Sequence, residues 1–120
     1  MNRTVKKKWV QALKSGKYKQ GRGHLKQVDQ NKNEYYCCLG VLCDLYCKEK
    51  KKGFDAVVYN SAWFDSDAGG DVLPPSVQKW AGLDHPNPIT KEYGALSTVN
   101  DSMIKLSDFK QIASMIEESL

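Results

Sequence analysis

Apolar residues recur at helical spacing near the start of the chain. Val5, Trp9, Ala12 and Leu13 fall on one side, while Lys6, Lys7, Lys8, Gln11 and Lys14 take the others. This predicts a first helix over Val5–Ser15, capped by Asn2 or Thr4 and stopped by Gly16. A basic loop follows, Lys17-Tyr18-Lys19-Gln20-Gly21-Arg22-Gly23-His24, and then a hairpin: Leu25 to Val28, a polar turn around Asp29 to Asn33, and Tyr35 to Cys37. Cys38 to Glu49 is apolar around most of a helical circumference, with Gly40, Asp44 and Lys48 forming a polar strip at i, i+4 spacing. That pattern predicts a buried central helix, ended by the Lys50-Lys51-Lys52-Gly53 tract. Ala56 to Phe64 has strand composition, and a Gly-Gly turn then leads to Val72-Leu73. Pro75 to Ala81 reads as a short helix with proline in its first turn, Val77 and Trp80 inward and Gly82 as the stop. Asp84 to Pro88 is loop. Tyr93, Leu96 and Val99 predict another short helix ending near Asn100-Asp101. Ser107 is expected to cap a last helix with the inner stripe Phe109, Ile112, Ala113, Ile116 and Leu120. The predicted fold is α+β, one small domain over residues 1–120 with an N-terminal helix, a buried central helix, short β-hairpins and a C-terminal amphipathic helix.

Composition agrees with a folded domain. The 120 residues are 41% hydrophobic and 27% charged, which excludes the disordered class. No stretch approaches the roughly 18 apolar residues of a membrane span, and Met1 to Lys6 lacks a signal-peptide core, so a cytoplasmic location is expected. Charge is unevenly placed. Every charged residue before Asp29 is positive (Arg3, Lys6, Lys7, Lys8, Lys14, Lys17, Lys19, Arg22, Lys26), whereas from Gly53 onward acidic residues outnumber basic ones. Two readings follow: the basic and acidic parts pack together, or the basic segment faces an anion.

Several features carry potential chemistry. Glycines at positions 21 and 23 and the flanking Lys17, Lys19, Arg22 and His24 suit a phosphate, although no Walker or dinucleotide-binding pattern is present; the alternative is a solvated basic turn. Cys37, Cys38, Cys43 and Cys47 lie inside an apolar helical run without the spacing of a zinc site, and reduced core thiols are expected. A nucleophilic Cys38 served by His24 or His85 is chemically conceivable. Asp65-Ser66-Asp67-Ala68-Gly69-Gly70-Asp71 imitates the start of a calcium loop but departs from it at the fifth ligand and at Ser76, so an acidic turn is expected. Asn100 and Asp101 suit a helix cap or a ligand contact. Trp9, Trp63 and Trp80 all sit at positions compatible with the core.

Trp9-Val10-Gln11-Ala12-Leu13-Lys14-Ser15-Gly16-Lys17-Tyr18 and Cys37-Cys38-Leu39-Gly40-Val41-Leu42-Cys43-Asp44-Leu45 resemble a family of small uncharacterised accessory proteins of tailed phages and prophages. The segments Leu73-Pro74, Trp80-Ala81-Gly82-Leu83, Leu96, Asn100-Asp101 and Phe109 to Leu120 extend the likeness, while the Lys48 to Lys52 tract departs from it. The resemblance implies a role in the host bacterial cytoplasm, of the kind in which a nucleotide signal is sequestered or a host protein is blocked. The expected function is therefore binding without catalysis, cofactor or metal. The candidate contacts are Lys17, Tyr18, Gln20, Arg22, His24, Asn100 and Asp101, and the partner a phosphate-bearing small molecule or a host protein. A small nucleotide hydrolase is the alternative, as is a nucleic-acid binder using the basic first helix; the scarcity of aromatics among its lysines counts against the latter.

Overall fold

The structure, a computed structural model, describes residues 1–58, 72–101 and 108–120. Its first helix, α1 (Arg3–Lys14), starts where Asn2 Oδ1 accepts the Val5 N–H at 3.0 Å. Its buried stripe is Val5, Trp9, Val10 and Leu13. Val10 thus replaces the expected Ala12, which is half-buried at the edge of the core. Gly16 follows with φ +77°, the left-handed conformation that ends helices at little cost to glycine.

Lys19–Gln20 (β1), Lys26–Val28 (β2) and Glu34–Tyr36 (β3) form one sheet in the order β1-β3-β2. The β2–β3 hairpin is antiparallel, as the pattern predicted, with Gln27 opposite Tyr35. Asp29 closes its turn: Oδ1 accepts the N–H groups of Asn31 and Asn33 at 2.8 and 2.9 Å. β1 was expected as loop. It pairs parallel to β3, with Lys19 opposite Tyr35 and Gln20 opposite Tyr36.

The central helix α2 (Cys38–Lys50) is buried over Cys38 to Cys43 and again at Tyr46 and Cys47. Cys37 caps it, its sulfur accepting the Gly40 N–H at 3.3 Å, and Lys51 ends it in the left-handed conformation at φ 55°. Phe54–Val58 is a short helix, α3, where Ala56 to Val58 had been expected to begin a strand. The reason is local. Phe54 and Val58 are both buried beside α2 while Ala56 between them is exposed. A strand would place all three on one face, whereas helical spacing keeps Phe54 and Val58 together and turns Ala56 away. The rest of that expected strand, with Trp63 and the acidic turn, lies outside the described residues.

α4 (Pro75–Ala81) opens on proline, buries Val77 and closes at Gly82 with φ +69°. Trp80 is only half-buried; its ring meets Tyr46 edge-to-face and its indole N–H donates to Glu49 at 2.6 Å. β4 (Ile89–Thr90) and β5 (Gly94–Ala95) form a two-residue hairpin. The helix expected from Tyr93 starts three residues later as α5 (Leu96–Asp101), because Tyr93 lies in the hairpin turn and Gly94, at φ +83°, and Ala95 pair with β4. The last helix, α6 (Phe109–Ser119), is capped by Asp108 rather than Ser107, with Gln111 completing a capping box.

α6 lies along α1 and closes one side of the core. Lys14 pairs with Glu117 at 2.8 Å, and Lys6 donates to the Glu117 carbonyl at 3.1 Å. The basic and acidic ends of the chain therefore meet directly. Among the described residues no helix is long and apolar enough to cross a membrane.

Candidate functional site

The polar strip of α2 divides in two. Gly40 faces inward, and the other two residues, Asp44 and Lys48, face an open groove of about 660 Å³ between α1, α2 and the sheet. Lys17, Tyr18 and Lys19 enter this groove from the chain after α1, and Lys26, Glu34 and Tyr36 from β2 and β3. Four lysines thus surround two carboxylates and two tyrosines.

These groups form two similar clusters. In one, the Tyr18 hydroxyl donates to Asp44 Oδ2 at 2.5 Å, and the Lys48 ammonium lies 3.1 Å from the same oxygen. In the other, the Tyr36 hydroxyl donates to Glu34 Oε2 at 2.8 Å, with the Lys26 ammonium 3.3 Å from that oxygen. The rings of Tyr18 and Tyr36 join the clusters edge-to-face, their centroids 5.1 Å apart. Burial, followed by the hydrogen bond to Asp44, pushes the Tyr18 phenol up to about 12. Burial, followed by Glu34, raises Tyr36 still more. Lys48 is raised by its bonds to Asp44 and Tyr18, and Glu34 is lowered by the Tyr36 hydroxyl and then Lys26. At neutral pH both phenols keep their protons and Lys48 is an ammonium. The groove thus presents hydrogen-bond donors beside fixed charge.

Asn100 and Asp101 lie close to the basic loop, but their bonding is internal. Asn100 is fully buried. Its Oδ1 accepts from the Cys38 N–H at 3.0 Å and from Gln20 Nε2 at 3.1 Å. Its Nδ2 donates to the Gly21 carbonyl at 2.9 Å and to Asp101 Oδ1 at 3.2 Å. That Asp101 oxygen also accepts the Gly23 N–H at 2.8 Å. All four hydrogen-bonding positions of the Asn100 amide are filled by protein, so it locks loop, central helix and α5 together. Of the seven expected contacts, Lys17 and Tyr18 line the groove, Gln20, Asn100 and Asp101 form the lock, and Arg22 and His24 are exposed on the loop. Sequence reasoning missed Lys26, Glu34, Tyr36, Asp44 and Lys48 as parts of a site, and had Lys19 only as a flank of the basic loop. The visible signal was the Asp44–Lys48 pair on an otherwise apolar helix.

All four cysteines are buried. The Cys38 thiol points to the Leu96 carbonyl at 3.7 Å, while His24 and His85 are exposed, so neither imidazole serves it. Burial drives the Cys38 and Cys43 thiols well above their usual range, with Cys37 adding to both. Native protein at pH 8 is therefore expected to react with an aromatic disulfide reagent far more slowly than unfolded protein at Cys38 and Cys43; rapid labelling of both without denaturant would contradict this. Among the described residues no group of three or more His, Cys, Asp or Glu is placed to hold a metal ion.

Comparison with curated proteins and with solved structures gives no match. A family model does match, over residues 1–120, and the chain belongs to the family described as Domain of unknown function (DUF8296).

Proposed function

We propose that this chain is a phage-type accessory protein that acts in the host cytoplasm by stoichiometric binding, capturing a phosphate-bearing small molecule in the groove between α1, α2 and the three-stranded sheet. One observation carries the binding reading: among the described residues, Lys17, Lys19, Lys26 and Lys48 converge on one hollow, with Glu34 and Asp44 as the acidic side chains that line it. Ammonium groups around a concave surface attract phosphate oxygens, and charge-assisted bonds there are stronger than neutral ones. The volume of about 660 Å³ falls among those of small-ligand sites.

Other readings have weaker support. A hydrolase needs a nucleophile or base, and the thiols are buried while the groove tyrosines are raised in pKa. A nucleic-acid interface on α1 would draw on lysines already engaged, since Lys6 and Lys14 bond to Glu117 and Lys8 pairs with Glu49 at 3.3 Å. Blockade of a host protein is favoured by the hairpin residues Ile89 and Tyr93, which are 63% and 44% exposed.

The test is calorimetric titration with a panel of nucleotides, followed by mass spectrometry of the recovered ligand. The expected result is saturable binding with the ligand recovered intact, and chemical turnover would overturn the reading. Lys17→Ala is expected to weaken binding by about tenfold, the loss of one charge-assisted contact. Its melting temperature should stay within about 2 °C of the parent, because Lys17 is exposed and outside the core. Unchanged affinity in Lys17→Ala and Lys48→Ala together would remove the groove from consideration.

A further inference from the structure

We infer that the groove takes a guanine nucleotide, with Asp44 reading the N–H edge of the base. The inference rests on the phosphate-capture reading and narrows it. Among the described residues, the bonds to the Asp44 carboxylate fall on one oxygen: Oδ2 receives both the Tyr18 hydroxyl and the Lys48 ammonium. Among the described residues nothing is bonded to Oδ1, yet no buried side-chain oxygen lacks a partner. Oδ1 therefore reaches solvent, and because the Asp44 side chain is 14% exposed and lines the groove, that solvent is the groove itself.

This combination selects a type of ligand. Phosphate oxygens placed against Oδ1 would meet like charge, so the anionic part of the ligand belongs with the lysines at the rim. The Lys17 ammonium has no bonded partner among the described residues, and Lys19 makes an exposed contact to Asn33 at 3.3 Å with its ammonium 5.9 Å from the Tyr35 ring centroid, neither of them to a carboxylate. The part beside Oδ1 must supply hydrogen-bond donors, because a carboxylate only accepts. The Watson–Crick edges of the bases differ in this respect. Adenine and cytosine set an acceptor ring nitrogen beside their amino group, and uracil flanks its N–H with carbonyls, so each turns lone pairs toward the carboxylate. Guanine alone presents a ring N–H next to an amino group. Two donors then face the aspartate with no opposing acceptor.

The experiment is calorimetric titration of the 120-residue chain with guanosine, inosine and adenosine monophosphates and with ribose 5-phosphate. Guanosine monophosphate is expected to bind roughly tenfold more tightly than the adenosine compound. Inosine monophosphate, which lacks the amino group, should fall between them, and ribose 5-phosphate should be weakest. Asp44→Asn should bring the three nucleotides within about threefold of one another while ribose 5-phosphate binding persists. Equal binding of all four probes, or a guanosine preference undiminished in a folded Asp44→Asn protein, would overturn the base assignment and leave phosphate capture standing. No binding of any probe would overturn both. If Asp44→Asn does not fold, the ranking in the parent protein decides the question alone.

Discussion

Gly40→Ala should lower the melting temperature by roughly 10 °C or more, the opposite of what the substitution does in an ordinary helix. Alanine is favoured over glycine by up to about 1 kcal/mol at helical positions, so on propensity alone the variant would gain stability. At Gly40, however, an added Cβ would lie 1.7 Å from the Leu25 carbonyl oxygen and 2.7 Å from its carbon. Both are backbone atoms, and no rotamer change relieves the overlap. The chain at Leu25 must withdraw, yet its side chain is fully buried and its carbonyl accepts the Cys37 N–H at 3.3 Å. Opening that contact disturbs the sheet and the start of α2 together. The cost should be about 3 kcal/mol or more, at the upper end for overpacking. A thermal melt followed by circular dichroism gives the answer, and a melting temperature equal to or above the parent's would show that Leu25 can move without penalty.

Asn100→Ala should cost on the order of 3 kcal/mol, because it strands the buried Cys38 N–H and Gly21 carbonyl that the amide satisfies at 3.0 and 2.9 Å. Asn100→Asp separates the roles of the two ends of the amide. Its Oδ1 still accepts from Cys38, but the second oxygen replaces a donor and faces the Gly21 carbonyl and Asp101. Repulsion and burial raise the folded-state pKa of the new carboxyl above its unfolded value, so the folded protein holds the proton more tightly. Stability is then greatest at low pH, where the protonated acid donates as the amide did, and falls as the pH rises through the folded pKa. The variant should therefore melt closer to the parent at pH 4.5 than at pH 7.5. Parallel melting curves at the two pH values, compared with the parent, would contradict the donor role assigned to Nδ2.

Much of the helical framework was legible because it is written in periodicity. α1, α2 and α6 each carry an apolar stripe over three or more turns, and their ends follow Asn2, Gly16 and the Asp108–Gln111 box. Ser107 and Asp108 are both good caps, and only the glutamine three residues on distinguishes Asp108. Short elements were less visible. β1 has two residues and no alternation to read, and it exists because β3 offers it an edge. Val57 and Val58 speak for a strand, yet burying Phe54 and Val58 while leaving Ala56 exposed requires the helical turn of α3. The site divides the same way. Lys17 and Tyr18 were marked out by the basic loop, whereas Asp44 and Lys48 showed only as a polar strip on an apolar helix and were not read as part of a site. Lys26, Glu34 and Tyr36 join them only through strand pairing, which is invisible to local pattern. Asn100 stood out as polar among apolar neighbours, but three of its partners, Cys38, Gly21 and Gln20, are 62 and more positions away in the chain.

That separation has a consequence for biosynthesis. A chain leaving the ribosome presents α1 first, yet Trp9 and Leu13 belong to a core that α6 completes, and Lys6 bonds to Glu117, 111 positions later. The Cys38 N–H and the Gly21 carbonyl wait for Asn100. Until the final helix emerges, the nascent polypeptide keeps an apolar α1 face and unmatched polar groups that chaperones and proteases recognise. A premature stop before Phe109 thus yields a degradation substrate instead of a smaller working protein, and any tag that hinders α6 from docking at the carboxyl end carries the same penalty as truncation.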